Sequence, residues 1–549
     1  MDGEAQAVDA AAQTFSLGRW AGDHAGLIVF GLVVFMVVLR LRLRRRDPLT
    51  RAHRRLTAEA ARFEASQGRM TAGELVRWFP CPPTGLPLGY APPKPWRPWR
   101  WRWWRRTCRP VGIPWDADKG HLLVVAPSRS GKGFHQTDSL LRYPGPALVV
   151  DPKREQFART AGTRAQRGPV YELPATGLDL ARLFDLALET DRRELFECLW
   201  RPWRDSAEGR YFTEATYGLL EAAYKAGLAT ETNPLRLLAR WSRMAAQRAL
   251  AEAQPHAPEA VEQLTGGVPL ERLTENRTFL AAWMTFTNRW APLVGAIDVL
   301  ATPEAAGGIP ADWAERNGTI YLCWPLHAQS AAGPLVAAVV AGLVRHLQAR
   351  PAGTRTLLSL DEAPAVGVPG LSHYLSTLGG AGSGVTVCLY TQSVPALVAV
   401  YGPHETRSIV GNCTFQCWHR PQDTESAEQL STLFGEVAEL TWNATSGSNE
   451  GQQQGAGTLT PSSWNRSASA GASLGTRYRR ALNVAEVTAL NDYEVIVFLR
   501  GKRSRLYSSY AIHQNDYRNM PKPPAATPQD PAAVQPVGQA EASPAAPSW

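Results

Sequence analysis

The stretch HLLVVAPSRSGKGFHQTDSLLRYPGPALVVDPKRE, residues 121–155, decides the fold. Its apolar run at 121–125 has the length of a buried strand. A turn-rich loop, APSRSGKG, follows, then a segment able to form a helix, then a second apolar run at 147–150 ending in Asp151. Strand, Gly-rich loop, helix, strand is the setting of a phosphate-binding loop. Backbone N–H groups of the loop and of the helix start point at phosphate oxygens, and Lys132 adds a mobile positive charge. The loop residues are Ala126, Pro127, Ser128, Arg129, Ser130, Gly131, Lys132, Gly133 and Phe134. Ala126 stands where the usual pattern has its first Gly, and Gly133 where a Ser or Thr would ligate Mg²⁺. Taken alone, the stretch also fits an ordinary Gly-containing turn.

Residues 355–367, RTLLSLDEAPAVG, add weight. An apolar run broken by Ser359 ends in Asp361 and Glu362. Adjacent acids at the end of a buried strand are costly unless they meet a cation or water. In a nucleotide site Asp361 holds Mg²⁺ and Glu362 orients and deprotonates the attacking water. Both features, in this order, predict an ATPase using ATP and Mg²⁺, with Lys132 on the β and γ phosphates.

APSRSGKG, VVDPKRE, LDEAPAVG and GSGVTVCLYTQSVPALVAVYG resemble the coupling proteins of type IV secretion and bacterial conjugation, the TraG/TraD group. IVGNCTFQCWHRPQDTESAEQLSTLFGE and RRALNVAEVTALNDYEVIVFLRGKRSRLYSSY are similar to it too, so the likeness spans roughly residues 120–512. That family commonly carries Ala at the place of Ala126 and Gly at the place of Gly133. The resemblance implies a hexameric ring that moves a relaxase–DNA complex or a protein substrate towards a secretion channel. It implies that Gln392, at a strand end, senses the γ-phosphate or the water. It also implies an arginine reaching a neighbouring subunit's nucleotide, with Arg407 and Arg420 as candidates.

The expected fold is α/β: a RecA-like P-loop core at 111–175 and 316–512, an all-helical insertion at 176–315, and an N-terminal transmembrane helix. Length allows several domains. The net charge of +9, from 58 Lys plus Arg against 49 Asp plus Glu, suits an anionic partner such as DNA or lipid. Seven scattered Cys argue against a disulfide framework, and Cys413 and Cys417 lack the second pair that zinc requires.

Residues 25–39 are apolar without a charge. As a helix they rise about 22 Å, short of a hydrocarbon core of roughly 30 Å. Leu41 and Leu43 extend the span if Arg40 and Arg42 snorkel. The acidic residues before it and the arginines after it favour an anchor over a cleaved signal. Residues 1–46 are therefore expected to be a single-pass anchor in the cytoplasmic membrane, with the bulk of the chain in the cytoplasm. Residues 47–110 read as a helical stem and a Trp/Arg/Pro-rich linker. Within it, Trp and Arg alternate over 96–106, fit for anionic headgroups or for single-stranded DNA.

Apolar spacing predicts helices over 178–190 and 209–228. Residues 443–476, rich in Gly, Ser, Gln and Asn, read as a mobile loop, 504–512 as a last strand, and 513–549 as a disordered tail. Two rival functions share these motifs: an FtsK-like DNA translocase, and a membrane receptor that binds nucleotide without turnover. A missing C-terminal DNA-reading domain counts against the first, and the water-activating Glu362 against the second.

Overall fold

The computed structural model describes residues 33–36, 48–66, 68–92, 108–114, 120–324, 329–348, 355–378, 384–451, 465–513, 516 and 521. The chain forms two compact units. One comprises residues up to 68 together with 435–481; the other comprises 69–434 and 482 onward.

The larger unit holds a sheet of eleven strands. In chain order these begin with β1 Leu86–Ala91, β2 Arg109–Ile113, β3 Leu122–Val125, β4 Ala147–Val150, β5 Val170–Leu173 and β6 Thr319–Leu322. They continue with β7 Thr356–Leu360, β8 Val385–Thr391 and β9 Phe415–Trp418; β10 Glu436–Gly451 and β11 Asn465–Arg480 belong to the smaller unit; β12 Glu494–Leu499 and β13 Lys502–Tyr507 complete the sheet. The sheet order is β2-β1-β13-β12-β9-β3-β8-β7-β4-β6-β5. From β9 to β5 every pairing is parallel. From β9 to β2 every pairing is antiparallel. All four residues of β3 and of β4 are buried, as are all five of β7 and all seven of β8. Strands covered on both faces read as unbroken apolar runs, which is why these four were legible. The parallel block is the expected RecA-like core, with the β8 strand between the loop-bearing β3 and the acid-bearing β7.

Residues 47–110 are not simply stem and linker. A capping box of Thr71 and Glu74 starts the helix Ala72–Trp78, and β1 is buried throughout. Pro87 and Gly89 disguise β1 as a loop; the register shifts between them, so a bulge accommodates the proline. A Cβ at Gly89 would stand 2.9 Å from Leu506 Cβ, so the close approach of β13 explains the glycine. Tyr90 on β1 donates to Asp138 Oδ2 at 2.6 Å, and the same carboxylate takes Arg142 Nε at 2.7 Å and Ser509 Oγ at 3.0 Å. The Trp/Arg stretch 96–106 lies outside the described residues.

From β5 to β6 the chain is helical, with helices Glu189–Trp200, Ala207–Glu214, Gly218–Thr230, Pro234–Trp241, Ala246–Ala253, Pro258–Thr265 and Arg277–Trp290. They enclose an aromatic core: Trp200 lies 5.0 Å from Phe196 and 5.2 Å from Trp290, ring centre to ring centre. The predicted helix over 178–190 is a single turn, Leu180–Leu183, and the helix proper starts at Glu189. Asp side chains compete with the backbone there: Asp185 Oδ1 accepts from Ala187 N–H and Asp191 Oδ2 from Asp185 N–H. Residues 209–228 split at Ala215–Tyr217 into two helices.

Residues 504–512 are half strand and half helix. Ser508 Oγ accepts from Ala511 N–H and starts the helix Ser509–His513. In the smaller unit, 443–451 and 465–476 are not loop but strand, paired from Glu436 with Arg480 to Gly451 with Asn465; residues 452–464 lie outside the described residues. An antiparallel ladder satisfies the backbone of small polar residues without any apolar side chain. Helix Pro48–Ser66 belongs to that unit, with Phe63 4.7 Å from Tyr478. The anchor expected over 1–46 falls almost wholly outside the described residues, and no helix among them is long and apolar enough to cross a membrane. The tail expected over 513–549 lies outside them too, save His513, Asp516 and Pro521.

Candidate nucleotide site

The loop between β3 and the helix Lys132–Arg142 closes on a left-handed residue, Gly131, at φ 98° and ψ 8°. Only glycine adopts that without strain, and Tyr510 Cβ would lie 2.7 Å from any Cβ placed there. Ser130 Oγ ties the loop to its own start by donating to Pro127 O at 2.7 Å. Arg129 is also left-handed, at φ 64°. The first N–H groups of the helix have no partner within it, as at every helix start, so they face the loop's mouth as donors.

Lys132, Asp361, Glu362 and Gln392 come together at the ends of β3, β7 and β8. Lys132 Nζ lies 2.9 Å from Asp361 Oδ1 and 2.5 Å from Glu362 Oε1. Gln392 Nε2 donates to both oxygens of Glu362 at 3.2 Å. Ser128 Oγ reaches Gln392 Oε1 at 3.5 Å. Burial pulls the Lys132 ammonium pKa down, but Asp361 and Glu362 outweigh it and hold the group above its ordinary value. Glu362 stands at φ 52°, ψ 50°, a left-handed conformation that costs a non-glycine residue on the order of 1 kcal/mol. Strain of this kind collects at functional positions.

Lys132, Asp361, Glu362 and Ser128 border a cavity of about 440 Å³, lined also by Pro127, Arg129, Gly131, Gly133 and Phe134. Gln392 bonds Glu362 but, like Ser130, does not itself line the cavity. Ala126 is buried behind the loop, its N–H bonded to Thr391 O at 2.9 Å, and does not line the cavity. Arg407 and Arg420 lie apart from it. Arg407 bonds Pro403 O and His404 within its own helix, and Arg420 pairs with Asp492 at 3.6 Å.

Sequence reasoning gave no role to Asp151, Lys153, Gln156, Arg159 or Tyr510, all of which line the same cavity. Asp151 ends β4 as Asp361 ends β7, and ligands gather at such strand ends. Its carboxylate accepts from Glu155 N–H at 3.0 Å and Phe157 N–H at 2.7 Å, while burial pushes its pKa up to about 6. Gln156 Nε2 donates to Gly133 O at 3.1 Å, next to where a loop hydroxyl is usual. Tyr510 arrives from the far end of the chain, where no sequence signal marked it.

The carboxylates of Asp361 and Glu362 are hard oxygen donors at the loop's mouth, the set that suits Mg²⁺ shared with phosphate oxygens. No group of three or more His, Cys, Asp or Glu side chains among the described residues could hold a metal unaided.

Two family models match this chain. One, described as the TraM recognition site of TraD and TraG, covers residues 355–492; the other, described as type IV secretory system conjugative DNA transfer, covers 95–172. The resemblance to the coupling-protein family is borne out. Among solved structures, the bacterial conjugative coupling protein TrwBdeltaN70 in its unbound form is similar at TM-score 0.57 and 17% identity, over 80% of this chain and 91% of that one. The plasmid coupling protein TrwB with the ATP analogue ADPNP is similar at TM-score 0.52 and 17% identity, over 72% and 87%. The same protein with ADP and Mg²⁺ gives TM-score 0.52 and 17% identity, over 72% and 86%. At this identity the likeness is one of fold. No curated protein matches.

Proposed function

We propose that the chain is a membrane-anchored coupling ATPase that works as a hexameric ring and pumps DNA, with or without its relaxase, or a protein substrate, to a type IV secretion channel. The observation that carries the reading is the convergence of Lys132, Asp361 and Glu362 at one cavity beneath a Gly131-capped helix, with Gln392 bonded to the Glu362 carboxylate. The matched family models, both drawn from conjugative transfer, support the cargo and the channel.

The loop N–H groups and Lys132 would bind the β and γ phosphates of ATP, and Asp361 would hold Mg²⁺. When bound, the metal neutralises charge developing on the phosphate oxygens. Water attacks the γ-phosphorus, the bond to ADP breaks, and the water's proton passes to the Glu362 carboxylate. Gln392 keeps that carboxylate aimed by donating to both of its oxygens.

The test is ATP turnover by the full chain with and without single-stranded and duplex DNA. Glu362→Gln is expected to keep ATP binding and to lower turnover by about 10²–10⁴. Lys132→Ala is expected to lose both. Stimulation by DNA makes nucleic acid the cargo. Binding of ATP without turnover under every DNA condition would instead leave a nucleotide-binding receptor.

A further inference from the structure

A second cavity, of about 490 Å³, opens where the helical segment meets the helix that follows Glu362. It is lined by Trp200, Arg201, Arg204, Asn288 and Arg289, with Pro334 and Ala365 on the core side. No carboxylate is among the described residues that line it. Like charges gathered in a partly buried space repel one another strongly, and such a cluster persists where an anion completes it.

The existing partners leave donors to spare. Arg201 is 7% exposed, and one of its Nη groups donates to Val366 O, but its buried Nε has no acceptor. The buried indole N–H of Trp200 has none either. Arg289 donates to Trp200 O and to Asp205, whose other oxygen takes Thr213 Oγ1 at 2.7 Å. Arg204 stands exposed at the rim. Burial, then the nearby Arg204, push the Arg201 pKa down to about 10. Arg201 also sits in the left-handed region, at φ 53° and ψ 49°, which turns the chain into the bend Pro202–Arg204.

We propose that this cavity binds a phosphate group of the nucleic-acid cargo, held by Arg201, Arg204 and Arg289. Guanidiniums converging from different elements suit a tetrahedral oxyanion, whose oxygens point several ways, better than a flat carboxylate. The cavity has several times the volume of a lone phosphate ion, room for an attached sugar. The nucleic-acid source rests on the transfer function proposed above; the oxyanion site does not. Its position gives it a consequence. Arg201 grips the carbonyl of Val366, at the end of the short helix that Glu362 begins, so cargo bound here pulls on the turn that carries the catalytic carboxylate.

The experiment uses the full chain with a non-hydrolysable ATP analogue in excess, so that the nucleotide loop is filled; binding of a fluorescent analogue is measured separately. Anisotropy of a labelled single-stranded oligonucleotide is followed across salt concentrations for wild type, Arg204→Glu and Arg201→Ala. In parallel, protection against heat by inorganic phosphate is recorded. Arg204→Glu, at the exposed rim, keeps the fold if Arg201→Ala does not. Expected for Arg204→Glu are an affinity at least about tenfold lower and a salt slope shallower by about 0.7, with analogue binding unchanged. If only the phosphate protection falls, the oxyanion site stands and its source is free phosphate. If a folded Arg204→Glu protein changes neither, the proposal is overturned. Loss of analogue binding in wild type would sink the ATPase reading alone.

Discussion

At the scale of single residues, the site works through restraint. Glu362 is pinned by Lys132 on one side and Gln392 on the other, on a backbone that only the end of β7 and the helix after it hold left-handed. Under the proposed mechanism, Gln392→Ala removes the aim but neither the proposed base, Glu362, nor the proposed phosphate cation, Lys132. Turnover should fall about tenfold with the KM for ATP nearly unchanged, which steady-state kinetics would show. Asp151 makes a prediction of another kind. Its pKa in the folded chain, about 6, lies above the ordinary 3.8. The stability it contributes is therefore fully present below about pH 4 and lost as pH rises through about 6. The loss is up to about 2–3 kcal/mol. Asp151→Asn carries no such titration. Measured by denaturant melts from pH 4 to 7 without nucleotide, wild type should lose stability relative to Asp151→Asn as pH rises. A constant difference would show that the helix N–H groups already hold Asp151 ionised.

At the scale of elements, β1 matters more than its composition suggests. It covers the edge of β13, and Tyr90 anchors the network around Asp138 on the nucleotide-loop helix. A shortened chain beginning at residue 111 lacks β1 and leaves the backbone of β13 an unpaired edge with Leu506 uncovered. It should aggregate on size-exclusion chromatography, whereas a chain beginning at residue 69 should remain monodisperse. Asp138→Ala should cost about 3–5 kcal/mol, because Arg142 would be left partly buried without its carboxylate. The same elements mark what a sequence reveals. Strands β3, β4, β7 and β8 were legible because burial on both faces requires apolar runs, and the loop because phosphate binding requires glycine and lysine at fixed spacing. β1 was not, since a bulge allowed Pro87 and Gly89 where strands rarely have them. Nor was the hairpin β10–β11, whose ladder places no demand on side-chain size. Asp151 was visible but unassigned, and Tyr510 joined the cavity through tertiary packing alone.

At the scale of the molecule, the proposed ring predicts that active sites are shared. Neither Arg407 nor Arg420 reaches the cavity of its own chain, and Arg407 has only near neighbours as partners. A finger variant, Arg407→Ala or Arg420→Ala, keeps an intact loop but gives its neighbour nothing. A Lys132→Ala chain has a dead loop but an intact finger. Mixing the two should restore turnover that neither has alone, for whichever arginine acts in the neighbour's site. Additive silence from both mixtures would remove both arginines from that role.

Tyr90 pairs with Tyr507, so β1 finds this partner only after more than 400 further residues have left the ribosome. Until then β1 has a bare edge, and the helix carrying Lys132 lacks both Ser509 and the ring of Tyr510 beside Gly131. The nucleotide loop is thus completed late, by residues 509 and 510. A chain stopped before residue 509 would own the whole phosphate-binding motif and still lack the Tyr510 wall of its cavity. Competence to bind ATP would then report that translation had passed residue 510.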